Sequence, residues 1–141
     1  MKLRSMTDEA YQRLSEGRDQ VLQKNRGYGV ISVQVNDLTF AVPLRSNLNH
    51  SNGFKTLFYN GKWNGLDYSK ALLVQDEDLN QEAFKPRNAD EYKKIKNNED
   101  KIIEEFGDYV SGYIDAAKEG KTENHKFKFT TLQYFHDELG I

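Results

Sequence analysis

The chain has 141 residues, a formal net charge of −2 and 30% charged side chains. That length suits a single domain, here expected over residues 1–141, and the near-neutral balance points neither toward nor away from nucleic acid. With no cysteine present, disulfides and thiolate sites are excluded.

The opening, Met1 to Leu14, lacks the apolar core of a signal peptide. No run approaches the ~18 apolar residues of a membrane span, so a soluble, cytoplasmic protein is expected. Thr7-Asp8-Glu9 reads as a helix start, with Ala10, Tyr11 and Leu14 on one face and Gly17 as its stop. A polar connection anchored by Val21 and Leu22 leads to the strongest strand pattern in the chain. Ile31, Val33 and Val35 alternate with polar or small residues, and after Asn36-Asp37 the alternation resumes at Leu38, Phe40, Val42 and Leu44. This predicts a hairpin with a two-residue turn. Pro43 lacks a backbone donor, so the second strand should end there or lie at an edge.

Asn60-Gly61 predicts a second hairpin turn between Leu57-Phe58-Tyr59 and Lys62-Trp63. Ala71 to Val74 reads as a short buried strand, Asp76 to Gln81 as an acidic loop, and Phe84 as part of a short strand before Pro86. Asn88-x-x-Glu91 resembles a capping box. Apolar residues from Tyr92 to Ala117 then recur at three and four, predicting one long helix, bent at Asn97-Asn98 or Gly107 and ending near Gly120. Phe127 and Phe129 suggest one face of a last strand. Thr130-x-x-Gln133 caps a final helix that Gly140 stops. The fold class is α+β: a small, strongly twisted antiparallel sheet packed with one long and two short helices.

The densest reactive patch follows the first hairpin: Arg45, Ser46, Asn49 and His50. A second polar set, Asp67, Tyr68, Ser69 and Lys70, also adjoins a core strand. Converging on one cleft, Arg45 and Lys70 would bind a phosphate, and His50 would move a proton at neutral pH. The alternative is a polar turn with a surface histidine. Lys55, Lys62 and Trp63 interleave cations with aromatics, which suits unpaired bases beside phosphates; it also suits an amphipathic hairpin. Lys93 and Lys94 lie on a lysine-rich helix face, either simply solvated or able to track an RNA backbone. His50, His125 and His136 are not spaced as metal ligands, and no cofactor or metal is expected. His136 reads as a partly buried structural residue.

Arg26-Gly27-Tyr28-Gly29-Val30, then Leu38 to Ser46, Asn49-His50, Gly65 to Val74 and Leu132 to Gly140 together resemble the toxins of type III toxin–antitoxin systems. The closest branch is TenpN, with CptN and ToxN/AbiQ more distant. The resemblance implies a fold related to the Kid/MazF toxins and a metal-independent, sequence-selective endoribonuclease of phage defence and abortive infection. Such a toxin leaves 2′,3′-cyclic phosphate and 5′-hydroxyl ends on cellular or phage mRNA and on its own repeat-RNA precursor. Its implied partner is a small RNA pseudoknot that inhibits it within a hetero-oligomeric assembly. In the ToxN branch the loop reads Pro-Leu-Thr-Ser-x-Lys. Here Ser46 matches, Arg45 replaces the threonine and Leu48 the lysine, so Arg45 or Lys70 must carry the charge. The candidate catalytic set is Arg45, Ser46, His50 and Lys70, with Arg26, Tyr28, Asn49 and Tyr68 among the candidate RNA contacts. A non-catalytic RNA-binding module and a protein-interaction domain are the alternatives.

Overall fold

The computed structural model describes residues 2–23 and 28–141, with the Tyr28 side chain excepted. Arg26 therefore lies outside the described residues. Strands β2 (Tyr28–Val35) and β3 (Leu38–Arg45) form the predicted hairpin, with Val35 opposite Leu38. Asn36 and Asp37 have φ of 51° and 67°. A two-residue hairpin turn of the primed type needs both central residues left-handed, which Asn and Asp tolerate better than most side chains. Asn60 and Gly61 repeat this solution, at φ 53° and 77°, between β4 (Gly53–Tyr59) and β5 (Lys62–Asp67).

All strand pairs are antiparallel, in the order β4-β5-β3-β2-β1-β7, with β6 (Leu72–Val74) alongside β3. Here β1 is Leu3–Met6 and β7 is Leu79–Ala83. Strand β3 does not end at Pro43 but runs on to Arg45. Along one edge it changes partner: Thr39 to Ala41 pair with β6, and Leu44 and Arg45 pair with β5. Pro43 falls in the interval between those ladders, where a missing donor does least harm.

The sheet is covered on both faces. On one, Ile31, Val33, Phe40, Val42 and Leu44 meet Ile102, Phe106, Tyr109, Val110 and Tyr113. These come from α3 (Glu99–Lys118). On the other, Val30, Ala41, Leu72 and Val74 pack with Ala10 and Leu14 of α1 (Asp8–Ser15) and with Phe135. Each fully buried Ile or Phe contributes about 1.5–3 kcal/mol relative to exposure. The alternation seen in β2 and β3 is thus real, but both phases of it are buried in part.

Several expectations need correction. An N-terminal strand, β1, was not predicted; four residues with two polar ones between Leu3 and Met6 give too little pattern. The long helix is two: α2 (Ala89–Lys96) and α3, broken at Asn97-Asn98, while Gly107 sits within α3. Residues 76–81 are not all loop, since Asp76–Asp78 form a 3-10 turn and β7 begins at Leu79. Phe127 and Phe129 lie in a turn, not a strand. The final helix is a 3-10 turn, Thr131–Tyr134, followed by α4 (His136–Leu139), which stops at Gly140 with φ 76°. Among the described residues no helix is long and apolar enough to cross a membrane.

Candidate active site

The pairing of Arg45 with Gly65 across β3 and β5 sets the geometry. Side chains two residues apart on a strand share a face, so Arg45 and Asp67 come together at the sheet end. The carboxylate of Asp67 is completely buried. One oxygen accepts from Arg45 Nη1 at 2.8 Å and from His50 Nε2 at 3.2 Å. The other accepts from the Ser69 backbone N–H at 3.0 Å and the Ser69 hydroxyl at 2.6 Å. Burial by itself raises a carboxyl group's pKa; the hydrogen bonds from His50, Ser69 and Arg45 outweigh it and hold Asp67 below its ordinary value. A buried ionised carboxylate is thereby stable, and it fixes both partners.

His50 has its other nitrogen engaged as well. Nδ1 accepts from the Asn52 backbone N–H at 3.1 Å. The hydrogen-bond pattern assigns the proton to Nε2, facing Asp67, and leaves the lone pair on Nδ1. Lys70 donates to the Phe129 carbonyl at 2.8 Å and to Gln20 Oε1 at 3.2 Å. Burial lowers its pKa; nearby Asp67 opposes this and Arg45 adds to it. Arg45, Asn49, His50 and Lys70 line one cavity of about 310 Å³, with His125, Lys126 and Phe129 among its other walls. The two predicted polar sets therefore do converge. Among the described residues, no group of three His, Asp or Glu side chains is placed to hold a metal ion.

Other candidates fall elsewhere. Ser46 is not among the cavity residues; its hydroxyl accepts from Arg87 Nη1 at 2.8 Å. Tyr68 is 3% exposed, donates to Glu105 at 2.9 Å, and sits against Phe106 and Tyr109. Burial and the Glu105 carboxylate push its hydroxyl well above the ordinary tyrosine range, so it is a core residue with a capped tip. Tyr28 begins β2 opposite Met6. Lys55, Lys62 and Trp63 lie on the β4–β5 hairpin, where the Lys55 ammonium is 5.8 Å from the Trp63 ring centre and Phe58 meets Trp63 edge-on at 5.5 Å. Lys93 is exposed on α2, and Lys94 donates to the Thr56 carbonyl at 2.9 Å. His136 is hydrogen-bonded to Tyr113 at 2.6 Å, a structural role as expected.

Sequence reasoning missed two supports. Asp67 was read as one of a polar set rather than as its hub; the available signal was an Asp at a strand end with Ser two residues on, the pattern of an Asx turn. Arg87 was not singled out at all. It clasps the buried Glu91 with Nε at 2.8 Å and Nη2 at 3.0 Å, and it also donates to the Arg45 carbonyl at 3.2 Å. Thr56 completes the clasp by donating to Glu91. Glu91 therefore does not serve a capping box; Asn88 caps α2 alone, accepting from Asp90 and Glu91.

The loop between β3 and β4 is pinned by Leu48, which is 1% exposed and donates its N–H to the Trp63 carbonyl at 2.8 Å. It takes up the space that two glycines leave open. A Cβ on Gly65 would lie 2.7 Å from Leu48 Cδ2 and 2.3 Å from the Phe54 carbonyl oxygen. Leu48→Ala is expected to cost about 2–5 kcal/mol through the cavity it leaves. Gly65→Ala is expected to cost about 1–3 kcal/mol by overpacking. Urea unfolding midpoints measure both, and an unchanged midpoint for Leu48→Ala would show that the loop is not anchored there.

No protein-family model matches the chain, and no curated protein sequence matches it. The class defined by shape is an antiparallel α+β fold with a cationic cavity at a strand end. Two solved structures share that fold. One is ToxN, from a bacterial antiviral system regulated by a processed non-coding RNA: TM-score 0.64 and 16% identity, covering 96% of this chain and 98% of that one. The other is AbiQ, a lactococcal anti-phage endoribonuclease of the type III toxin–antitoxin class: TM-score 0.62 and 18% identity, covering 92% and 88%. At such identity the likeness is one of fold.

Proposed function

We propose that this chain is the toxin of a type III toxin–antitoxin system, an endoribonuclease held in check by a small structured RNA. The observation that carries the reading is the convergence of Arg45, His50 and Lys70 on one cavity, organised by the buried Asp67 carboxylate. The shared fold with an RNA-regulated antiviral protein and an anti-phage endoribonuclease supports it.

The chemistry needs no nucleophile from the protein. The RNA 2′-oxygen attacks the adjacent phosphorus; the O2′–P bond forms and the P–O5′ bond breaks. The 2′-hydroxyl proton goes to His50 Nδ1 once the Asn52 N–H yields it, and Asp67 stabilises the imidazolium that results, as a buried carboxylate does in a catalytic triad. Lys70, whose ammonium is already weakened by burial, gives a proton to the departing 5′-oxygen. Arg45 uses one N–H on Asp67 and offers its others to the phosphate, where charge builds up. Ser46 acts indirectly, as an anchor for Arg87. The hairpin cations Lys55 and Lys62 and the helix residues Lys93 and Lys94 serve the RNA backbone away from the reacting phosphate.

The test is purified protein with RNA in EDTA. Cutting is expected to proceed undiminished and to leave 2′,3′-cyclic phosphate and 5′-hydroxyl ends. Activity abolished by chelation and restored by magnesium would overturn the mechanism. Tight binding without cutting would favour a non-catalytic RNA-binding module.

A further inference from the structure

Among the described residues lining the cavity, Phe129 supplies the one phenyl ring. Its position is odd for a core residue. Phe127, two residues earlier, is 6% exposed and packs edge-on or tilted against Tyr109 and Tyr113. Phe129 is 54% exposed. Backbone carbonyls tie this turn down: Phe129 accepts from Lys70 at 2.8 Å, and Lys126 accepts from Asn52 and from Tyr109 at 3.3 Å. The ring thus contributes little to folding, yet it stands beside the groups that would hold a phosphate.

The surroundings define what it would take. The Lys128 ammonium is 5.6 Å from the ring centre, and Arg45, Lys70 and Lys126 bring positive charge to the same cavity. Cations around an exposed aromatic ring are the signature of an unpaired base stacked beside its phosphate. A volume of about 310 Å³ is at the small end of ligand pockets, which run from about 300 to 1,000 Å³. It suits one splayed-out nucleotide and not a duplex. Asn49, exposed at the rim, offers an amide to the edge of such a base.

We propose that Phe129 is the platform on which the nucleobase next to the scissile phosphate stacks, and that it is a determinant of which nucleotide is cut. The inference rests on RNA being the ligand of this cavity. Phe129→Ala and Phe129→Trp would be compared with the native protein on two kinds of probe. RNA 12-mers of each homopolymer and of random sequence report cleavage. Their 2′-deoxy counterparts, which lack the nucleophile, report binding by anisotropy, with and without an abasic site.

Phe129→Ala is expected to melt at the native temperature. It should lose about 5- to 150-fold in kcat/KM on the best-cut RNA, and a similar factor in affinity for its deoxy counterpart, the worth of one base–aromatic stack. Phe129→Trp should return both to within a few-fold. The abasic probe should bind native and Phe129→Ala protein alike. Equal cleavage and affinity for native and Phe129→Ala protein would overturn the proposal, as would an equal loss on the abasic probe, which would place the effect on Lys70. Should the native protein cut nothing while Phe129→Ala still loses affinity for the base-bearing probe alone, the nuclease reading falls and the stacking site stands.

Discussion

Asp67→Ala is expected to be among the most damaging single changes in the molecule. Four hydrogen bonds converge on that carboxylate. Removing it leaves Arg45 and His50 without their anchor and the Ser69 N–H buried without an acceptor. Breaking a buried ion pair by deleting one partner costs about 3–5 kcal/mol, against a total stability of about 5–15 kcal/mol for an ordinary domain. Asp67→Asn keeps the shape but meets Arg45 and His50 with a neutral amide, so it tests the charge. The pH dependence has a defined sign. The folded Asp67 has a depressed pKa, so its contribution is fully present above the unfolded-state value near 3.8 and is lost as pH falls through the folded value. Urea midpoints for native and Asp67→Asn protein should therefore differ most at neutral pH and converge in acid. A constant difference across that range would mean that folding does not shift the Asp67 pKa.

His50→Ala is expected to separate catalysis from binding. Loss of general acid–base help typically costs 10²–10⁴-fold, or about 3–5 kcal/mol of barrier at ~1.4 kcal/mol per decade. A neutral hydrogen bond to RNA would be worth only about 1 kcal/mol. The variant should thus lose cleavage and growth arrest yet bind the 2′-deoxy RNA within a few-fold. Arg45→Ala, by contrast, should weaken both, since a guanidinium grips phosphate in ground and transition states alike. A His50→Ala protein that remains fully active would remove the imidazole from the reaction and move proton transfer to Lys70. The paired measurement is cleavage rate with anisotropy on the same variant.

What could be read in advance follows the range of the forces involved. The two hairpins and the α1 start were legible because turn chemistry and capping are local: Asn36-Asp37, Asn60-Gly61, and Thr7 accepting from the Ala10 N–H at 3.1 Å. The convergence of Arg45 and Lys70 was legible because both adjoin core strands. Partner exchange along β3 was not, because nothing in Pro43 itself says that β6 gives way to β5 there. The Arg87–Glu91 clasp joins residues 87 and 91 to residues 45, 46 and 56, a contact set only tertiary structure can assemble. Leu48 looked like a lost lysine; it is a buried anchor whose partners, Gly53 and Gly65, are glycines because they leave it room. Phe129 was misread because an apolar residue two away from another apolar residue imitates a strand.

The anchoring of the β3–β4 loop at a single buried side chain has a consequence for how such proteins diversify. Of residues 46 to 51, Leu48 alone is buried, while Ser46, Asn47, Asn49 and Ser51 are exposed. Asn47, Asn49 and Ser51 can be recoded by drift or by a combinatorial library with little effect on folding, provided Ser46, Leu48 and the two glycines beneath Leu48 are kept. Because Asn49 lines the cavity while Asn47 and Ser51 do not, new preferences for RNA sequence can arise in this loop one residue at a time, on a scaffold that never has to be rebuilt.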